Sequence, residues 1–449
     1  MNSTTHDQVD PPITVDSGIE SNRAFISCDD AAAYLHESLK ERRGTEFVGY
    51  ILQNENDHFF YVAKEADLKK APTLSLVVTV SLSGELAIPA GYTIEARLIS
   101  HAPGEKGHQE SNVEWGQRKR FFKVSDLFGV MTHRRRFSRC YLSLSDNGLL
   151  SYTSIGSAFE RELSSTLARK TDGTLQLFES LYERGAVPSN ILILLAVTAG
   201  EVTTVVPGSL WRRRGKLKAS WRDDVLAQNP PIELLPICGP ICKDGKEVAQ
   251  FINSRMSKLS PEHVGLVLKH RTQKLFVVTD PILSDYANFS RMALFPKDVH
   301  GNPLIPAELR VHGFFHSAKP VPASKLPSTE VERYKNFFSP ADLKVGLDRI
   351  LVSPLHRLFL YAPDGAVLRF AYADNGKVDE LRQLLAPETD SQQSLEQQII
   401  SGALSVQAYI DQVATVGELT VLFPSASWPV TGRVDAHVAG ESVDPEAQQ

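Results

Sequence analysis

Cysteine is scarce in this chain, with four residues in 449: Cys28, Cys140, Cys238 and Cys242. Four thiols are too few for a disulfide-stapled scaffold and are typical of a protein kept in a reducing compartment. Cys238 and Cys242 have a spacing that would suit half of a metal site, but no second pair lies near them in the sequence. We therefore interpret them as structural cysteines.

Long apolar runs and a secretory signal are also missing. The longest apolar stretch, Ile191–Val197, is far shorter than the roughly 20 residues that a membrane-spanning helix needs. The first residues show no positively charged segment followed by an apolar one, so we interpret residues 1–24 as a disordered polar tail. These features predict a cytoplasmic protein without membrane contact, and they leave open export by a route that needs no signal peptide.

A strong excess of one charge is absent, because the formal net charge is −5 and 22% of the residues are charged. Such a balance provides no general attraction to nucleic acid. A basic run that starts at Arg212 lacks interleaved aromatic residues, so we interpret it as a solvated linker. The cluster Arg134–Arg136 is interpreted as a solvated or partner-facing surface. A hydrophobic content of 42% is sufficient for substantial cores.

The sequence does contain one module of about 190 residues that is present twice. Matching segments include Glu46–Leu52 with Glu262–Leu268, and Arg120–Leu127 with Asn336–Leu343. The offset is 216 residues between both Glu46 and Glu262 and Asp126 and Asp342, and it is 217 between Trp211 and Trp428. Because unrelated sequences would not keep so constant an offset, we predict two tandem homologous domains.

These matches predict the domain boundaries and the fold class. Residues 25–215 and 237–432 form the two copies, 216–236 a linker, and 433–449 a second disordered tail. In the first copy, residues 29–44 read as an amphipathic helix, and β-branched and aromatic runs predict strands at 47–53, 59–63, 74–82 and 93–100. A loop at 101–116, a helix at 124–133, a hairpin around Asn147-Gly148, three helices and a strand at 201–206 follow. Each copy is thus predicted to be α+β or an α/β sandwich, with a mixed sheet flanked by helices.

Polar residues recur at matching places in the two copies and form a candidate site. A glutamate precedes the first long strand, a histidine ends a later strand, and an aspartate opens the following helix. The residues are Glu46, His101 and Asp126 in the first copy, and Glu262, His316 and Asp342 in the second. The position three residues before the aspartate is Lys123 in the first copy and Ser339 in the second.

This pattern resembles the JAB/MPN (JAMM) metallopeptidase family. The second copy, with Phe315-His316-Ser317 and Phe338-Ser-Pro-Ala-Asp-Leu343, is most similar to an uncharacterised bacterial JAB-like domain associated with Rhs-type polymorphic toxins. The resemblance implies that the glutamate acts as a general base. It also implies that a His-x-His pair and the aspartate bind zinc, with a serine before the aspartate.

Both copies depart from this pattern in the His-x-His pair. Ile99 and Phe314 stand where the first histidine is expected, which leaves two zinc ligands in each copy instead of three. Lys123 would also repel a cation, and His312 lies about 13 Å along the strand from His316, too far to substitute. We therefore expect no cofactor, with weak zinc binding at most. Simpler interpretations stay open: Ser339 as a helix N-cap, the glutamates as solvated, and the histidines as loop-edge residues.

The leading hypothesis is a non-catalytic binding protein, an adaptor, immunity or effector-associated protein built from two degenerate metallopeptidase-like domains. It predicts a protein partner and leaves the oligomeric state open. The first alternative is a zinc-dependent peptidase or isopeptidase that acts through Glu262, His316, Ser339 and Asp342. The second is an effector of the polymorphic-toxin type.

Overall fold

The chain divides into two units, Met1–Leu226 (unit 1) and Ala227–Gln449 (unit 2), each with its own mixed β-sheet. The computed structural model describes residues 23–67, 76–80, 85–102, 104–108, 110–134, 136–167, 177–218, 232–318, 326, 328–352, 357–372, 377–385 and 393–436. Most of the predicted tails and linker therefore lie outside the described residues. Lys216 and Arg433, which we assigned to the linker and the C-terminal tail, belong instead to short strands at the sheet edges.

Unit 1 contains ten described strands and six described helices. The strands are β1 Ala24–Phe25, β2 Phe47–Asn54, β3 Phe60–Asp67, β4 Val77–Val80, β5 Leu86–Ala87, β6 Tyr92–Ser100, β7 Arg139–Ser143, β8 Leu149–Thr153, β9 Glu201–Val206 and β10 Gly215–Lys216. The helices are α1 Cys28–Leu39, α2 Asn112–Arg118, α3 Val124–Thr132, α4 Ala158–Leu167, α5 Leu177–Glu183 and α6 Ser189–Ala199, and a 3-10 turn, Lys40–Gly44, follows α1.

Unit 2 contains eight described strands and six described helices. The strands are β11 His263–His270, β12 Phe276–Val278, β13 Ile282–Leu283, β14 Leu309–Ser317, β15 Arg357–Tyr361, β16 Val367–Tyr372, β17 Gly417–Phe423 and β18 Gly432–Arg433. The helices are α7 Gly245–Met256, α8 Ser328–Lys335, α9 Pro340–Val352, α10 Val378–Leu384, α11 Leu395–Ser401 and α12 Val406–Val416, with a 3-10 turn at Arg291–Ala293.

The two sheets share one strand order. In unit 1 it runs β10-β9-β8-β7-β6-β2-β3 and continues to β4 and β5, while in unit 2 it runs β18-β17-β16-β15-β14-β11-β12. The β6–β7 and β14–β15 pairs are parallel, and their neighbours on both sides are antiparallel. A parallel pair needs a crossover connection, and the segments that hold α3 and α9 provide it. Both units are therefore mixed α+β, with a mixed sheet flanked by helices, which confirms the α+β class predicted from the sequence.

The cores of the two units repeat the same aromatic arrangement. Phe121 and Phe122 lie edge to face at 5.5 Å, and Trp211 donates its indole N–H to the Arg120 carbonyl at 2.7 Å. In unit 2, Phe337 and Phe338 lie edge to face at 5.6 Å. There Trp428 donates its indole N–H to the Asn336 carbonyl at 2.8 Å. In both units the tryptophan follows the last long strand, so it ties the end of the fold to the segment before the crossover helix.

The predicted elements of unit 1 agree with the observed ones to within a few residues, and 201–206 agrees at both ends. Helix α2 is the exception, because the sequence analysis assigned most of its residues to a loop. Ser111 caps this helix by accepting from the Glu114 N–H at 3.1 Å, while Glu114 accepts from the Ser111 N–H at 3.3 Å. This capping box is the signal that could have revealed the helix. Among the described residues, no helix is long and apolar enough to cross a bilayer.

A buried histidine in unit 1 predicts a pH-dependent stability. His36 on α1 contacts Ser143 Oγ through Nδ1 at 2.7 Å and the Asn147 carbonyl through Nε2 at 3.0 Å. Burial, together with the charge of Arg43, lowers its pKa from 6.5 to about 4. Between these values the unfolded chain binds more protons than the folded one, so this stabilisation is complete above pH 6.5 and is lost as the pH falls toward 4.

We expect unit 1 to lose about 3 kcal/mol of stability through His36 between pH 6.5 and pH 4. Urea denaturation at a series of pH values would measure this loss, and H36Q is the control because it removes the titrating group. An equally steep pH dependence in H36Q would assign the effect to carboxylates instead.

Candidate functional site

The residues of the candidate site in unit 1 come together at one end of the sheet. Phe47 pairs with Ser100 where the antiparallel strands β2 and β6 meet, which places Glu46 and His101 next to each other. The start of α3 brings Lys123 and Asp126 to the same place: Lys123 Nζ lies 3.5 Å from Glu46 Oε1, and His101 Nε2 lies 3.6 Å from Asp126 Oδ2.

The polar groups of this cluster interact with one another. Asp126 Oδ2 accepts the Lys123 backbone N–H at 2.8 Å, which closes the first turn of α3. The His101 and Asp126 side chains are 8% and 15% exposed, whereas those of Lys123 and Glu46 are 40% and 75% exposed. The Lys123–Glu46 ion pair therefore contributes less than about 1 kcal/mol to stability. Its importance is positional, because it holds an ammonium group against the carboxylate that matches the general base.

A cavity of about 310 Å³ opens beside this cluster. Its lining includes His101 and Lys123, together with Phe122, Arg118, Lys119 and Tyr182. Arg118 is fixed by two hydrogen bonds of 2.8 and 2.7 Å to the buried carboxylate of Glu110. The same contact lowers the pKa of that carboxyl. Arg118 thus has a defined position at the cavity, whose lining also contains the carboxylates of Glu105 and Glu183.

In unit 2 the corresponding residues have different surroundings. His316 is buried, and its ring stacks on Tyr286 at 4.0 Å with the two planes inclined by 14°. Burial is the main cause that raises the pKa of Tyr286, and the nearby Asp342 carboxylate raises it further. His316 and Asp342 thus share Tyr286 as a neighbour, while Glu262 is exposed in a left-handed conformation, with φ 73°. Their convergence in one cleft stays a prediction.

The structure shows the roles of Ser339, which we offered as a helix N-cap, and of His312, which we considered too distant to be a substitute ligand. Ser339 Oγ accepts the Asp342 N–H at 3.1 Å, so Ser339 has the N-cap role that the sequence offered as an alternative to a catalytic one. His312 packs against Phe276 with 5.1 Å between ring centroids. Burial and neighbouring cations, Arg357 first, lower the pKa of His312 to about 3.

Sequence analysis missed the segment that covers His316. Arg349 on α9 donates from Nη2 to the carbonyls of Tyr286 and Phe289, both at 2.8 Å. Its guanidinium also lies 4.5 Å from the Tyr286 ring centroid and 4.8 Å from that of Phe314. Arg349 therefore fastens Tyr286 over β14. The signal in the sequence was weak, because an arginine in an amphipathic helix is usually a solvated residue.

The strand register corrects the matching of the two histidines. Val48 and Val264 are the same position of the repeat, and they pair with Ile99 and His316, respectively. His316 therefore corresponds to Ile99, not to His101.

By the same register, His101 corresponds to Ala318, and Phe314 corresponds to Arg97, which pairs with Tyr50. The predicted equivalence of His101 and His316 is wrong by two residues. A shift of two residues keeps each side chain on the same face of the strand, so alternation of polar and apolar residues could not reveal it. Compared with the His-x-His pattern of the resemblance, unit 1 has Ile99-x-His101 and unit 2 has His316-x-Ala318, so the histidine stands at a different position of the pattern in each unit.

These donor sets do not fit a catalytic zinc ion. Such an ion needs three protein ligands, and the matched positions supply one histidine and one aspartate in each unit. In unit 1 a lysine ammonium lies within the cluster, and in unit 2 the remaining histidine stacks on a tyrosine. Across the described part of the chain, no group of three or more His, Cys, Asp or Glu residues is arranged to hold a metal.

Comparisons with known proteins identify no relative. No family model, no curated protein and no solved structure matches the chain.

Proposed function

We propose that this chain is a non-catalytic binding protein whose two units descend from one duplicated JAB/MPN-like domain. The shared strand order and the paired tryptophan contacts support a common ancestor. A register shift at Ile51/Leu52 in β2 has its counterpart at Val267/Leu268 in β11. Irregularities of pairing at matched positions are typical of related domains.

The position of Lys123 is the main support for the proposed loss of catalysis in unit 1. A metal-dependent hydrolase needs a free carboxylate beside a cation that activates water. In unit 1 the matching carboxylate, Glu46, is paired with the Lys123 ammonium, and the matching aspartate accepts a backbone N–H of the same lysine. An ammonium at this place offsets the charge of the carboxylate but cannot bind and polarise a water molecule as a Lewis acid does.

The surroundings of the unit 1 cavity support a polypeptide as the ligand. Helices α2 and α5 flank it, and they expose Val113 and Leu177, which are 64% and 71% accessible. The cavity lining contains the cations of Arg118, Lys119 and Lys123 together with the carboxylates of Glu105 and Glu183. Apolar contacts at a charged cleft suit a segment with acidic and apolar side chains. A cytoplasmic location is part of the proposal, and four buried free thiols support it.

Photo-crosslinking in cells would test the binding surface. A photoreactive amino acid at Val113 or Leu177 should yield a protein adduct of one defined mass, because both are exposed on helices that contribute residues to the cavity lining. Val430 in unit 2 is the matched control, since it is 76% exposed but lies on the other unit. Adduct formation should fall in K119E, which reverses one charge of the cleft. Equal adducts at all three positions, or none at Val113 and Leu177, would contradict the proposal.

A further inference from the structure

Unit 1 contains a second, larger cavity that the candidate site does not use. It measures about 640 Å³ and lies between the end of α3, the start of α4 and the residues that follow β8. This volume is within the usual range of small-molecule sites. The cavity lining includes Arg134 and Arg136, two residues of the cluster that the sequence analysis interpreted as a solvated or partner-facing surface.

The walls of this cavity are strongly basic. His133, Arg134, Arg136 and Arg161 line it. The acidic residue in the lining, Glu160, is 2% exposed and already engaged. Its Oε1 accepts from the Tyr152 hydroxyl at 2.9 Å, and its Oε2 accepts from the Gly156 N–H at 2.5 Å. The arginines are therefore the charged groups of the lining that reach an entering molecule first.

Gly156 determines where two of these arginines lie. It has φ 64°, and a Cβ at this position would collide with the guanidinium of Arg134. Arg161 donates from Nη1 to the Gly156 carbonyl at 2.7 Å. The Arg134 guanidinium therefore lies against the Cα of Gly156, and the Arg161 guanidinium binds the Gly156 carbonyl. Both planar donor groups are thus positioned by one turn that lines the cavity.

Ser154 is the second, independent observation. It lines the same cavity and is 4% exposed, and its Oγ has no hydrogen-bond partner among the residues that the structure describes. A buried hydroxyl without a partner is unfavourable, and native structures seldom contain one unless something else satisfies it. An oxygen atom of a ligand in the cavity would supply the missing bond.

We propose that this cavity binds the phosphate group of a small phosphomonoester. Guanidinium groups bind phosphate oxygens through two parallel hydrogen bonds, and a serine hydroxyl adds a directional contact. The cavity is much larger than a phosphate ion, so the rest of the molecule lies in the space toward Met131 and Ser164. The site belongs to unit 1, because Arg134–Arg136 has no counterpart at the matching place in the second copy.

Calorimetric titration of the full chain would test this site, with inorganic phosphate, ribose 5-phosphate and acetate as probes. We expect both phosphates to bind, the sugar phosphate more tightly, and acetate at least about tenfold more weakly, since a monoanion makes fewer charge-assisted bonds. The double variant R134Q/R136Q should weaken phosphate binding about 100-fold, and S154A about tenfold. R184Q is the matched control, because Arg184 is exposed in the turn directly after α5 and does not line this cavity.

The thermal stability of the ligand-free S154A variant separates binding from folding. Because the hydroxyl has no partner in the described part of the chain, its removal should leave the melting temperature unchanged or raise it slightly. A lowered melting temperature in S154A would assign Ser154 a structural role and overturn its part in the site. Absence of phosphate binding at millimolar concentration, or equal losses in R184Q and R134Q/R136Q, would overturn the proposal as a whole.

Discussion

Replacing Trp211 with alanine should destabilise unit 1 by about 4 kcal/mol. The side chain is 2% exposed, its ring lies 5.9 Å from Phe121, and its indole N–H donates to the Arg120 carbonyl. The substitution leaves a large cavity and a carbonyl without its donor. Trp428 has the same contacts in unit 2, so W428A should destabilise that unit by a similar amount.

Hydrogen exchange of peptides from each unit, measured along a urea titration, would detect these losses separately. Trp115 provides the matched control, because its indole also donates to a carbonyl, that of Gly104, but in an exposed setting. W115A should cost less than about 1 kcal/mol, as is usual away from a core. W211F keeps most of the ring contacts, so its loss of unfolding free energy should lie between those of W211A and W115A. Equal effects of W211A and W115A would show that the tryptophan does not tie the fold together as described.

Rebuilding the His-x-His pair in unit 1 should produce the second large effect. The wild-type protein, purified without chelator, should hold well under one zinc ion per chain, because each unit offers two ligands. In I99H/K123S, two imidazoles lie on one strand face beside Asp126, and the competing ammonium is gone. We expect zinc affinity to rise by about 100-fold or more, since even indirect changes around a zinc site alter affinity 10–100-fold.

The corrected register provides matched controls in unit 2. A318H restores the pair there, but it should gain less than I99H/K123S because Tyr286 is stacked on His316. F314H places an imidazole two residues before His316, beside the Arg349 guanidinium, and should not increase the zinc affinity. Zinc content by mass spectrometry and titration with a chelator would measure all four proteins. Stoichiometric zinc in the wild type, lost in H316A or D342N, would instead favour the peptidase alternative.

Much of the fold was predictable from local patterns, and the site was predictable only in part. Runs of β-branched residues and helix caps place the long strands and helices of unit 1, because these signals depend on neighbours in the sequence. The proximity of Glu46 and His101 follows from the pairing of β2 with β6, and the start of α3 adds Lys123 and Asp126. That pairing required a repeat to be recognised, since no local pattern specifies which strands become neighbours.

The errors at the candidate site, unlike the missed helix α2, involve contacts between residues that are distant in the chain. Tyr286 lies on His316 because Arg349, 63 residues later, binds its carbonyl. The match of His101 with His316 failed because it uses an offset of 215 residues, whereas the strand register gives 217 for β6 and β14, one more than the 216 of the preceding strands. Alignment by eye then chose the identical residue instead of the equivalent position. The hydrogen-bonded register of the strands identifies the equivalent positions directly, whereas residue identity does not.

On the descent that we propose, from a domain with an intact His-x-His pair, the different histidine in each unit also orders events in the history of the gene. If an ancestor had lost one histidine before it was duplicated, both descendants would lack the same position. Here one lacks the first position and the other lacks the second, as Ile99 and Ala318 show. On the proposed descent, the duplication therefore came first, while the pair was intact, and the two losses were separate mutations. The tandem arrangement is then older than the loss of metal binding, and it was maintained through that loss.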